Sequence, residues 1–293
     1  MDGSKVCPNC GRQNLAEAQW CAGCGSNISS VAASQAEGSW QQGSYGQPQE
    51  QSSMSYSPQG AFGQARQQIT SAIQMRSQTD EVLPIYWILL PILGIVLSVV
   101  LTVFLGWFIG LGVGMIVFGA LLAVLVYKLI NRQNEHIKRE TVLRGALMTL
   151  IRDKAREQYK EQVISGQVAT MESINQEASY KEQENNAVLF TIMAFIPLLQ
   201  FYVLYVLTKH PYEHDQRWHA FTQQVQYAGG QLGLNIMTPS WKTLPRRSFI
   251  LFFIISIIFT PFMLYWLYVL IDDPNEHYKA QWQFEDQLMV QLR

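Results

Sequence analysis

PIYWILLPILGIVLSVVLTVFLGWFIGLGVGMIVFGALLAVLVY, residues 84–127, decides the fold: its 44 residues include no Lys, Arg, Asp, Glu or His. One pass through a bilayer takes about 20 apolar residues of helix, so the stretch reads as two spans joined by a tight turn. Gly106, Gly110 and Gly114 fall at small-xxx-small spacing inside it. Glycines on one face let two helices approach closely, and a tight turn between the spans accounts equally well for Gly106 and Gly110.

Two further apolar segments lie C-terminal to it, 187–207 and 248–271, each uncharged and long enough to cross once. Between Lys128 and Lys160, just after the first hairpin, basic residues cluster: Lys128, Arg132, Lys138, Arg139, Arg144, Arg152, Lys154, Arg156 and Lys160. By the positive-inside rule that region faces the cytoplasm, and an even number of preceding spans puts the N-terminus there too. The expected class is an all-α membrane protein of hydrophobic hairpins and interfacial amphipathic helices, multi-pass in the cytoplasmic membrane. No apolar stretch near Met1 resembles a cleavable signal.

The second half repeats itself at a shift of 63 residues. Tyr202, Leu204, Tyr205, Val206, Leu207, Pro211, Glu213, His214, Phe221 and Gln224 match Tyr265, Leu267, Tyr268, Val269, Leu270, Pro274, Glu276, His277, Phe284 and Gln287. A third copy follows the first hairpin, where Tyr127, Leu129, Ile130, Asn134, Glu135 and His136 match Tyr268, Leu270, Ile271, Asn275, Glu276 and His277. Equivalent copies prefer equivalent surroundings. Four full spans would put successive copies on opposite sides. Pro197 and Pro261 sit mid-segment, where proline breaks a helix, and re-entrant hairpins there would keep every polar segment on one side. Both topologies, four spans or one hairpin plus two re-entrant ones, remain open on the sequence.

The repeated Glu135–His136, Glu213–His214 and Glu276–His277 pairs suit a metal or a proton relay. A plainer account also serves: Asp273-Pro274-Asn275-Glu276 reads as a helix start, with Asp as N-cap and Pro at the first position.

Residues 139–164 read as an amphipathic helix carrying Arg139, Arg144, Arg152, Lys154, Arg156 and Lys160 around an apolar face. It suits anionic lipid, a neighbouring helix or a second copy of the chain equally. The tail from His277, with Gln281, Phe284, Leu288 and Leu292 at helical spacing, has the same three options.

The four cysteines all lie near the N-terminus, in Cys7-Pro8-Asn9-Cys10-Gly11 and Cys21-Ala22-Gly23-Cys24-Gly25. Two-residue spacing brings both thiolates of a pair to one ion, and four thiolates make a closed tetrahedral site. One structural Zn2+ on Cys7, Cys10, Cys21 and Cys24 is the expected cofactor. With Asn14, Ala18 and Trp20 between the pairs, residues 7–28 resemble the short N-terminal zinc ribbons of prokaryotic proteins. The resemblance implies a binding or structural module. Residues 248–272, with Thr260-Pro261 followed by Tyr265-Trp266, are similar to an uncharacterised prokaryotic membrane domain that carries no established activity.

The organisation expected is a zinc ribbon over 1–28 and a disordered Gln/Ser/Gly-rich linker over 29–80. The hairpin and basic helix fill 81–164, a polar connector 165–186, one repeat copy 187–230, a connector 231–247 and another copy 248–293. Only Lys5 and Arg12 are basic in the ribbon, so protein contact is expected there and nucleic acid is not. No nucleotide loop or nucleophile with its base is present, and the apolar segments hold no ionisable group for ion coupling. The function expected is therefore non-enzymatic: a membrane-anchored docking or scaffold component. Membrane shaping by hairpin wedges, or a small channel or permease, are the alternatives.

Overall fold

The computed structural model describes residues 4–6, 13–16, 18–20, 27–31, 58–240 and 242–292. The chain divides into two compact units, Met1–Met54 and Ser55–Arg293. In the first, β1 (Ser4–Val6) pairs antiparallel with β2 (Gln13–Leu15), and Trp20 bridges Asn27. Ile28 is buried against Ala18 and Val31. Cys7, Cys10, Cys21 and Cys24 lie outside the described residues, as does 32–57 of the expected linker.

The second unit is helical, and helix makes up 78% of the structure. Residues 58–80, assigned to the disordered linker by composition, instead form α1 (Pro58–Gln74) and α2 (Arg76–Thr79). Ala65, Ile69, Ala72 and Ile73 are buried. These few apolar residues share one helical face, so α1 packs although its average composition is polar.

A 3-10 turn (Ile85–Ile88) leads into α3 (Leu89–Leu105), and after Gly106 the chain returns in α4 (Trp107–Glu157). Gly106 makes the turn with φ +79°. A Cβ on Gly110 would lie 2.3 Å from Leu101 O and one on Gly114 2.7 Å from Ser98 Cα, so these two allow the close approach of α3 and α4. The three glycines thus divide the two roles. Ile85–Leu105 and Trp107–Glu157 are long and apolar enough to cross a membrane.

The later apolar segments are broken. Helix α6 (Ala187–Ala194) has 8 residues and α8 (Phe249–Ile258) has 10, about 12 and 15 Å long, against the roughly 30 Å of a hydrocarbon core. After each break a long helix starts, α7 (Pro197–Gln231) and α9 (Phe262–Gln291), with Pro197 at the first position of α7 and Pro261 at the N-cap of α9. Both are hairpins. Asn185, ahead of α6, exchanges hydrogen bonds with Asn134 at 2.7 and 3.0 Å, and Phe195 at the turn lies against Gly119 fifteen residues up α4. Arg247, ahead of α8, pairs with Asp273 deep in α9.

Helices α4, α7 and α9 organise the unit. Each passes through an apolar cluster, then a polar layer, then a second apolar cluster. The first cluster holds Leu125, Leu129, Leu204, Leu207, Trp266 and Leu270; the second holds Leu143, Leu147, Trp218, Phe221, Phe284 and Leu288. The connector over 165–186 contains α5 (Ser165–Lys181), which places Met171 in the second cluster.

Two expectations need correction, and an alternative left open for the tail is decided. Residues 139–157 are not a separate helix on lipid but the end of α4, and Arg139 and Arg144 are buried at 1% exposure. They face carboxylates, while Arg152 pairs with Glu172, Lys154 with Glu157 and Arg156 with Glu161; Lys160 caps Gln231 O. The tail helix likewise buries Gln281, Phe284 and Leu288 within the chain. Asp273-Pro274 is not a helix start, for α9 runs through it. Proline frees the carbonyl four residues back, and Arg132 Nη2 donates to Leu270 O at 3.0 Å and Ile271 O at 3.1 Å.

Candidate metal centre

The polar layer brings the repeated histidines together. Leu129, Gln133 and His136 on α4 follow i, i+4, i+7 spacing and so share one helix face. Leu207, Pro211 and His214 on α7, and Leu270, Pro274 and His277 on α9, repeat the arrangement. All nine line one cavity. Its floor is leucine, its middle ring Gln and Pro, and its far wall the three imidazoles.

The ring centroids lie 5.1 Å apart for His136–His214, 5.3 Å for His136–His277 and 4.8 Å for His214–His277. Glu140, one turn beyond His136 on the same face of α4, completes the group. One donor atom from each of His136, Glu140, His214 and His277 lies within 4.8 Å of all the others, and all four residues are buried.

Individual distances suit coordination. His136 Nε2 is 3.1 Å from His214 Nε2, Glu140 Oε2 is 2.9 Å from His214 Nε2 and 3.5 Å from His136 Nε2. A tetrahedral ion with bonds of about 2.0–2.1 Å spaces its ligand atoms roughly 3.3 Å apart. Glu140 Oε2 and His277 Nε2 are buried without a hydrogen-bond partner. Buried polar atoms are rarely left so, and here both belong to residues of the converging group.

Each imidazole is also fixed from behind. His136 Nδ1 lies 3.0 Å from Asp80 Oδ1, His277 Nδ1 2.8 Å from Asp215 Oδ1, and His214 Nδ1 3.1 Å from Glu182 Oε1, the last within ion-pair distance but outside hydrogen-bond geometry. A carboxylate on Nδ1 sets the tautomer that leaves Nε2 free to bind and raises its basicity. The carboxylates are held in turn. Asp80 takes Arg139 at 2.5 Å and Trp282 Nε1 at 2.9 Å; Glu182 takes Arg217 at 2.7 Å and Arg144 at 3.2 Å; Asp215 accepts the Leu244 N–H at 2.9 Å.

All these groups lie beyond the apolar segments. Burial opposes ionisation of Asp80, but His136 and Arg139 overcome it and hold the carboxyl well below the usual range. Burial opposes it for Glu140 too, and His214 and Arg144 again win. Burial disfavours charge on His214, yet Glu140 and Glu182 push it up to about 10. Burial pulls His277 down. The layer therefore holds a positive charge at His214, which a divalent ion on Nε2 would replace as the proton leaves.

The glutamates of the repeated pairs have a different fate. Glu135, Glu213 and Glu276 are on the surface, where they pair with Lys138 at 3.0 Å, Lys209 at 3.3 Å and Lys279 at 2.7 Å. Glu140 would have been legible from its four-residue spacing to His136 on one helix. Asp80 and Glu182 come from segments that carry no pattern of their own.

No protein-family model, curated protein or solved structure matches the chain.

Proposed function

We propose that the chain is a membrane-anchored metalloprotein whose helical unit closes around one divalent first-row transition-metal ion on His136, His214, His277 and Glu140. The observation that carries this is directional: one donor atom from each of the four residues converges, Nε2 for His136 and His214 and Oε2 for Glu140, while each histidine Nδ1 faces its own carboxylate. Imidazole and carboxylate together suit zinc or ferrous iron. Such an ion joins α4, α7 and α9 and so links the three hairpins.

The two long apolar helices serve as the anchor, and α6–α7 and α8–α9 enter the same leaflet as re-entrant hairpins, with the polar layer cytoplasmic. The four cysteines hold a structural zinc and present a docking surface to a protein partner. The role is that of a non-enzymatic scaffold. Membrane shaping is the second reading, favoured by two short hairpins whose polar ends lie at the same end as that of α4; tubulation of liposomes tests it, and unaltered vesicles at high coverage reject it.

Metal analysis of purified full-length protein tests the main reading. Two ions per chain are expected. Replacing Cys7 and Cys10 by Ser removes one, and His214→Ala with His277→Ala removes the other. Unchanged metal content after the histidine replacements rejects the helical centre.

A further inference from the structure

The cavity on the leucine side of the histidines has a volume of about 20 Å³, the room of a single water-sized ligand. Two side chains give it a chemical character. His210, one turn before His214, lies beside the cavity; its Nδ1 meets the Gln133 side-chain amide, and its buried Nε2 has no hydrogen-bond partner. The Gln133 amide donates to Nδ1, so Nε2 bears the hydrogen. That makes it an orphaned donor.

Arg132 is the other. The residue is 3% exposed, and its hydrogen bonds go to neutral oxygens, Asn275 Oδ1 at 2.9 Å and the carbonyls of Leu270 and Ile271. Its charge is thus not cancelled by a bonded carboxylate, unlike those of Arg139 and Arg144. Arg132, His210 and Asp273 occupy the same position in the three matched segments. Where leucine and histidine recur in all three, this position changes, and two of its occupants, Arg132 and His210, line the cavity.

We propose that the metal centre keeps one exchangeable position, facing this cavity, which takes water, hydroxide or a small monodentate anion as the hydrogen-bond acceptor of His210 Nε2–H. The proposal rests on the metal reading above. Arg132 selects for negative charge, and the leucine floor, Leu129, Leu207 and Leu270, limits the ligand to about one heavy atom. A first-row ion that takes more than four ligands, as non-haem ferrous iron does, keeps an open position beside His and carboxylate ligands. The centre then binds a ligand in addition to joining the hairpins.

Cobalt(II) makes this visible. Full-length protein with all four cysteines changed to Ser, in detergent, is loaded with cobalt, its cobalt content measured, and sodium fluoride, whose anion is the size of a water, added while the visible spectrum is followed. One cobalt per chain and a saturable spectral change are expected. His210→Phe should retain the cobalt and bind fluoride about tenfold more weakly, the order of one charge-assisted hydrogen bond. One bound cobalt whose spectrum fluoride leaves unchanged overturns the exchangeable position. Equal fluoride affinity in His210→Phe overturns the role of His210. Failure to bind cobalt at all overturns the metal centre itself, a different result from the other two.

Discussion

The carboxylate of Asp80 holds His136 and Arg139 at once, with Oδ1 3.0 Å from His136 Nδ1 and Oδ2 2.5 Å from Arg139 Nη2. It thereby ties the segment that follows α2 to α4, 56 residues away. Asp80→Ala leaves Arg139 buried against Glu285 alone and His136 free to turn. The expected losses are roughly 3–5 kcal/mol of stability and about 10–100-fold in metal affinity. Thermal unfolding in detergent and competition with a chelator measure them. Unaltered metal affinity would show that Asp80 does not orient His136.

The α3–α4 hairpin supplies a matched pair. A Cβ on Gly114 would meet Ser98 Cα at 2.7 Å, whereas one on Gly112 would have no atom within 4 Å. Gly114→Val should cost about 1–3 kcal/mol by overpacking, and Gly112→Val less than about 0.5 kcal/mol. Thermal stability of the two variants side by side is the check; equal losses would place the helix contact elsewhere.

Arg132 and Pro274 should be coupled. Arg132→Met strips the Leu270 carbonyl of its donor and costs about 1–3 kcal/mol. Pro274→Ala returns a backbone N–H to that carbonyl. In a double-mutant cycle the combined loss should fall short of the sum by about 1 kcal/mol. Strict additivity would mean that Arg132 does not compensate for the N–H that Pro274 lacks.

Glu285 gives the pH dependence. Burial raises its carboxyl to about 7, and Asp80 adds to the effect while Arg139 and His136 oppose it. Arg76 also faces it, at 3.8 Å. The folded chain then holds a proton there that the unfolded chain releases near 4.5. Stability from this group is full below about 4.5 and is lost as pH rises through about 7. Unfolding temperatures of wild type and Glu285→Gln between pH 4 and pH 8 should show that decline in the wild type only.

The legible parts of this molecule were those written in local periodicity. The uncharged run 84–127 announced α3 and α4, and Pro197 and Pro261 marked the chain breaks because proline constrains backbone wherever it falls. The internal repeat found His136, His214 and His277 without showing that they meet. Glu135, Glu213 and Glu276 shared that pattern yet face lysines on the surface, since adjacent helix positions point about 100° apart. Asp80, Glu182 and Asp215 carried no signal, for a carboxylate behind an imidazole depends on packing between distant segments. Arg139 and Arg144 misled for the same reason: charge suggests exposure unless its partners, here Asp80, Glu285, Glu140 and Glu182, are known. In α1, buried Ala65 and Ile69 were hidden by the glutamines around them.

X-ray absorption at the metal edge tests the central claim most directly, using full-length protein whose four cysteines are changed to Ser and which has been loaded with zinc. The account predicts one zinc per chain in an N/O-only shell, with bonds near 2.0–2.1 Å and the outer-shell scattering of three imidazoles. Zinc that is absent, or bound with fewer than two imidazoles, would contradict it.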